Sequence, residues 1–552
     1  MKKILILTML VFTLMVTACG GDSYNTKDKD TLKVMLNSPF VTLDSALVTD
    51  TASLEIISDC VEGLMQLDSK GKAVLALAEK VDILDDGKKF RFHLRDAKWS
   101  NGDDVTAEDF VFAWRRHCQV ANDYAYVFGS KVACVKNADA VINGANPEIL
   151  GVSAPNPKMF LVELDAPVPF FLSLMAFPTF YPVNEKFYNS LEKGTYGTSP
   201  ETFLSNGAFK LVEGTPKADT VKLQKNDSYW NAERIDLKNL NYKVVSSSDN
   251  AMNLFKDRTL DVVNIEGDHI EQVQNDSSIS PNLKTYTSGY LYYISYNQDA
   301  KNHHKGELAN KNLRLAISNA VDREIIVNNC MKHGAKETYT AVPVEFAPNI
   351  ETGVFFGEDQ KAFFDIIGFN LYKAKQHLED AKKELGKEKF EFYFLYPNES
   401  GDTIIKVVEN IKEQIEKNLP EIKIILQPET KSEYLNLIAI NNYDIALIDW
   451  AADYNDPMTF LALWTTEGSQ GSEHWSNAEY DEIIAGCSKG ELAENYDARW
   501  KAMHKAESIV LENAVIAPLY TDIHAVLVST NVEGIEFHSV GVGRTYKNVK
   551  IQ

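Results

Sequence analysis

Apolar and charged residues alternate at Phe90, Arg91, Phe92, His93, Leu94 and Arg95, the period-two pattern of a half-buried strand. Thr106, with Asp109 three residues on, reads as a capping box that opens a helix carrying Phe110, Ala113 and Trp114 on one face. Residues 161–164 and 221–224 read as further short strands. No repeat appears at the periods that mark solenoids or propellers.

The second half is more regular. Residues 390–396 predict a strand, and 403–418 a helix whose Ile404, Val407, Val408, Ile411 and Ile415 form one stripe, stopped by Pro420. Ile422, Ile424 and Leu426 alternate as a strand, 433–440 predict a helix and 443–449 another strand. Strand, helix, strand, helix, strand is the signature of a parallel, doubly wound α/β sheet. Such sheets bind ligands beyond the carboxyl ends of their strands. The segment leaving the last of these strands is Trp450-Ala451-Ala452-Asp453-Tyr454-Asn455-Asp456-Pro457, which becomes the candidate ligand loop.

The amino terminus has a different character. Lys2 and Lys3 precede an apolar stretch, residues 4–16, that is short for a bilayer, and small residues lead to Cys19. This is a secretory signal over 1–18, followed by a polar tether over 19–30. Val16-Thr17-Ala18-Cys19 resembles the lipobox of bacterial lipoproteins, which implies that Cys19 is lipidated and holds the protein to a membrane. No second stretch approaches spanning length, which excludes a channel or permease. The 552 residues exceed one ordinary core, so two or three domains are expected. Net charge is −22, which argues against a nucleic-acid partner and against adhesion to anionic lipid.

Five cysteines remain, Cys60, Cys118, Cys134, Cys330 and Cys487, without metal-ligand spacing. Export would permit Cys118 to pair with Cys134; buried free thiols are the equal alternative. There is no HExxH, no GxSxG and no persuasive Cys/His pair, and His303-His304 reads as a solvated turn. Nothing points to a cofactor or a metal, and a secreted hydrolase has no positive support.

Several stretches then resemble one family, in family order and over nearly the whole mature chain. They are Ala78-Glu79-Lys80, Phe92 to Arg95, Trp99-Ser100-Asn101-Gly102-Asp103 through Arg116, Ser205 to Leu211, Asn226 to Trp230, the helix-like 312–328, the loop 450–457 and the strand-like 517–520. Together they are similar to the extracellular solute-binding proteins of peptide ABC importers, family 5. The resemblance implies an α/β, two-lobed periplasmic-binding-protein-like fold of class II type with an extra inserted domain. Lobe I would combine 31–63, 191–286 and 515–552; the insert would be 64–190; lobe III would be 287–514, carrying the ligand loop.

The function implied is capture of peptides in a cleft between two lobes and delivery to the permease subunits, by a non-enzymatic, monomeric, membrane-anchored lipoprotein outside the cytoplasm. Same-fold carriage of a nickel complex, haem or an oligosaccharide is the alternative, and a peptide-sensing receptor is another. Asp453 matches the family aspartate that pairs with the peptide α-ammonium. Trp450, Ala451, Ala452 and Tyr454 flank it, and Glu62 matches a position near the ligand, while Asp456 reads as a turn residue. Tyr290, Tyr292, Tyr293 and Asn297 lie around the return crossover, where packing is the better reading for at least two. Relatives that prefer short peptides place arginines where this chain has Ile438 and Leu447. A carboxylate partner would then come from elsewhere, such as Lys431 or Lys332, or the peptide carboxylate is left unfixed.

Overall fold

The computed structural model describes residues 29–48, 50–120, 124–130, 132–299, 306–332, 334–349, 352–398, 402–452, 454–466, 474–489 and 491–552. The signal, Cys19, most of the tether, His303-His304 and Asp453 lie outside the described residues. The first half supplies β1 (Thr31–Leu36), α1 (Thr51–Cys60), β2 (Ala78–Leu84), β3 (Lys89–Leu94), α2 (Ala107–Gln119), β4 (Val152–Asn156), β5 (Met159–Glu163), β6 (Phe209–Glu213), β7 (Thr220–Lys225), β8 (Asn239–Val244) and β9 (Val262–Ile265). The second supplies β10 (Leu283–Tyr296), α3 (Lys311–Ala320), β11 (Phe390–Pro397), α4 (Asp402–Asn418), β12 (Ile422–Glu429), α5 (Lys431–Ala439), β13 (Ile445–Ala451), α6 (Tyr496–Glu512) and β14 (Ile516–Val528).

Among the described residues one sheet runs through the molecule in the order β12-β11-β13-β10-β14-β9-β1-β8-β7-β6, with the short Lys336–Glu337 strand added against β14. A separate antiparallel sheet, β2-β3-β5-β4, carries the alternating Phe90, Phe92 and Leu94 inward. There Thr106 and Asp109 form the capping box of α2, and the buried Trp114 donates from Nε1 to the Phe180 carbonyl at 3.0 Å. The stripe of α4 is buried against Phe392, Phe394, Ile424 and Ile445, which is why that helix lies on the sheet.

Three details depart from the sequence pattern. The large sheet is mixed: β11 is parallel to β12 and β13, but β13 is antiparallel to β10. The last strand begins at Ile445, not at 443, because the Asp444 carboxylate accepts the Tyr393 amide at 2.9 Å and so takes a ladder donor for itself. Residues 312–328 are not one helix: α3 ends at Ala320, and Asp322 accepts the Glu324 amide at 3.0 Å to start a second segment. The buried Arg323 donates to the Ser318, Val321 and Pro518 carbonyls and holds that break. Of the two readings of Cys118 and Cys134, the one without a disulfide holds, and both side chains are buried in the core.

Two features position the candidate ligand loop. β10 and β14 pair from Leu283↔Leu527 to Ser295↔Ile516, and this ribbon carries both halves of the sheet. Its register shifts between Thr287 and Leu291, at Gly289, whose φ is +73°. A Cβ there would sit 2.2 Å from the Ser539 carbonyl oxygen, so only glycine lets these backbones approach. The second feature is a buried ion pair: Arg499 of α6 meets Asp456 through two bonds of 2.7 Å, while Asp456 Oδ1 also accepts the Met458 amide at 3.0 Å. Asp456 is therefore a turn residue, as its place before Pro457 suggests, and also the clasp that ties the loop to α6.

Both features have measurable consequences in denaturant titrations. Gly102→Ala, at φ +91° with no atom within 4 Å, meets backbone strain alone, and should cost about 1–2 kcal/mol. Gly289→Ala adds the clash with Ser539 and should cost about 3 kcal/mol or more; equal losses would show that the hairpin moves aside freely. Arg499→Leu should cost about 3–5 kcal/mol by stranding a buried carboxylate, and adding Asp456→Leu should recover much of it.

Candidate functional site

The loop begins inside the sheet. Trp450 and Ala451 are the last residues of β13, opposite Leu291 and Tyr290, so they are strand positions facing the connecting ribbon. The Trp450 Nε1 is buried without a hydrogen-bond partner. The Ala452 amide donates to the Gly289 carbonyl at 3.2 Å, which joins the start of the loop to the register shift of β10. Beyond position 453 the chain turns onto the other half of the molecule. The Tyr454 ring stacks on Phe170 with centroids 4.0 Å apart and planes 7° apart, and Asn455 Nδ2 donates to the Gly71 carbonyl at 2.7 Å. Neither Phe170 nor Gly71 carries a signal in the sequence, because each meets the loop only through the fold.

Glu62 follows α1 and is 7 % exposed. Its amide donates to Asn206 Oδ1 at 2.9 Å, and Asn206 Nδ2 donates back to its carbonyl at 3.2 Å. Its two carboxylate oxygens accept from the Tyr229 hydroxyl at 2.6 Å and from Trp230 Nε1 at 2.7 Å, with Lys547 Nζ 3.8 Å away. Burial, then the Glu62 charge, push the Tyr229 phenol far above its ordinary value, so it stays a donor. The Arg95 guanidinium lies 3.7 Å over the Trp230 ring. Of the motif residues, Tyr229 and Trp230 thus hold the Glu62 carboxylate, Asn206 holds its backbone and Arg95 covers the Trp230 ring.

These elements enclose a cavity of about 900 Å³, its open mouth included. Glu62, Tyr229, Phe177, Tyr454, His538 and Lys547 contribute to its wall. Of the residues singled out from sequence, Glu62 and Tyr454 reach this cavity, whereas Trp450, Ala451 and Ala452 are not part of its lining. The hairpin around 536–545, which brings His538 and Val540, had no sequence signal: its strands are two residues each.

The remaining candidates separate. Tyr293 is buried, with its ring 5.9 Å from Trp464; Tyr292 stacks on Tyr520 at 4.6 Å; Asn297 Nδ2 donates to the Asn441 and Tyr443 carbonyls, both at 2.9 Å. These are packing and chain-positioning roles, while Tyr290 stays half-buried. Ile438 and Leu447 are 8 % and 3 % exposed, members of the apolar core. Lys332 lies 3.5 Å from Glu271, and Lys431 lies 3.9 Å from Asp449. No cluster of three or more His, Cys, Asp or Glu side chains is placed to hold a metal among the described residues. Among them, too, no helix is long and apolar enough to cross a membrane.

Residues 72–472 match the family model of bacterial extracellular solute-binding proteins, family 5 Middle. The dipeptide-binding protein of Lactococcus lactis subsp. cremoris is 28% identical over 560 residues, 98% of this chain and 97% of the relative. The structure of Listeria monocytogenes OppA bound to peptide is 30% identical, with a TM-score of 0.71 over 95% of this chain and 99% of that one. The unliganded open form of the murein tripeptide-binding protein MppA, an Escherichia coli protein, is 25% identical, with a TM-score of 0.81 over 95% and 98%. A match over this length, joined to a common two-lobed architecture, leaves one conclusion: the chain belongs to the bacterial extracellular solute-binding proteins of family 5.

Proposed function

We propose that the protein captures peptides in the cleft between the two halves of its sheet and passes them to the permease of an ABC importer, without chemistry on them. The observation that carries this is the placement of the loop after β13, which reaches the cavity wall through Tyr454 and Asn455 and is tied to Gly289 of β10 and to Phe170 and Gly71 of the first half of the chain. Ligand that bridges those halves would draw them together, because contacts made only in the closed state shift the population towards it. The higher TM-score with an unliganded open relative than with a more identical peptide-bound one fits an open, ligand-ready arrangement. The named relatives are a dipeptide-binding protein, a peptide-bound OppA and a murein tripeptide-binding protein, in keeping with this reading.

In this proposal Asp453 pairs with the peptide α-ammonium through a charge-assisted hydrogen bond. In this reading lobe I combines 31–63, 191–286 and 515–552, the insert is 64–190 and lobe III is 287–514. The core positions of Ile438 and Leu447 supply no cation for the peptide carboxylate, which supports acceptance of ligands of varied length. Cys19 would carry the lipid, leaving a monomeric binding domain tethered outside the cytoplasm by residues 19–30.

Calorimetric titration of the mature protein, stripped of copurified ligand by reversible unfolding, tests this. Peptides of two to eight residues should bind, and acetylation of their N-termini should abolish binding. Asp453→Ala should weaken binding about thirtyfold, roughly 2 kcal/mol. Unchanged affinity in the folded variant would remove Asp453 from the site. Failure of every peptide would transfer the protein to a non-peptide solute.

A further inference from the structure

The charged residues around the cavity are matched among themselves. Asp59 is buried and accepts the Tyr242 hydroxyl, and burial holds its carboxyl well above the usual carboxylate range. Glu62 has both oxygens occupied by Tyr229 and Trp230. Lys547 faces Glu62 at 3.8 Å and also donates to Gln66 Oε1. His538 is 6 % exposed, and burial keeps its imidazole below its ordinary value, hence neutral. Two buried polar atoms of lining residues lack partners, His538 Nδ1 and Asn455 Oδ1, and both belong to uncharged groups. Much of the remaining wall is apolar: Met65, Leu67, Leu174, Phe177, Val540 and Val542.

We propose that this cavity is a selectivity pocket for an uncharged, largely apolar residue of the bound peptide, and that it disfavours Lys, Arg, Asp and Glu at that position. The proposal rests on the peptide reading above. A charged side chain entering here would shed water without meeting an unmatched counter-charge among the described lining residues, whereas an apolar one exchanges water for Met65, Leu174 and Val542. The overall charge of −22 does not by itself make the ligand cationic. That field is screened over about 8–10 Å in saline, so the local wall decides which side chain is accepted.

The test is titration of the mature protein with alanine-based pentapeptides carrying Leu, Phe, Lys or Glu at each position in turn. At one position Leu and Phe should bind at least tenfold more tightly than Lys and Glu, about 1.4 kcal/mol. Val542 is half-buried, so Val542→Asp can place a carboxylate on the wall. In that variant Lys at the same position should gain at least tenfold on Leu. Leu67→Asp, also half-buried, is the second variant should the first fail to fold. Peptides that bind with no positional preference would overturn the pocket and leave the peptide reading standing. Unchanged selectivity in a folded variant would place discrimination elsewhere and overturn it too. Absence of all peptide binding would overturn both readings.

Discussion

The structure depends on a ribbon of backbone hydrogen bonds shared by both halves. β10 and β14 are 14 and 13 residues long, and each serves two neighbourhoods. The first part of β10 pairs with the last part of β14, which pairs onward with β9; the rest of β10 pairs with β13. Buried amides and carbonyls must be paired, so neither half can separate from the other without breaking this ladder. Motion between the halves must instead be accommodated where the ladder is already irregular. Gly289 is such a place, and it contacts the start of the loop after β13 on one side and the Ser539 carbonyl on the other. A bend in the ribbon is thereby a displacement of the loop and of the cavity wall together.

Around that ribbon, charge is handled by matching and not by exposure. Asp456 with Arg499, and Glu62 with Tyr229 and Trp230, are carboxylates removed from water and fully occupied. Each is costly to bury, and each becomes tolerable because hydrogen-bond geometry is complete. The consequence is functional as well as structural. A strongly acidic protein presents a cavity whose charged groups already have partners, and ligand selection there passes to shape and apolar contact.

Much of the architecture was legible because it is local. Stripes such as Ile404, Val407, Val408, Ile411 and Ile415, the alternation at Phe90, Phe92 and Leu94, and the Thr106–Asp109 box each specify an element within a few residues. Boundaries failed where a side chain competed with the backbone: Asp444 delayed β13, and Asp322 with Arg323 broke the segment after α3. Neither competition can be read without knowing which strand or carbonyl lies alongside.

The sequence by itself determined the α/β alternation and the loop at the end of β13 and pointed to Glu62, since these are matters of order, period and motif. Tertiary structure alone decided what those residues touch. It spent the Glu62 carboxylate on Tyr229 and Trp230, joined Asp456 to Arg499 and stacked Tyr454 on Phe170. It also brought His538 and Lys547 to a wall built largely from the other end of the chain. Each of those pairs is separated by tens to hundreds of residues, and hydrogen bonding, desolvation and ring contact act over a few ångströms of space, whatever the distance along the chain.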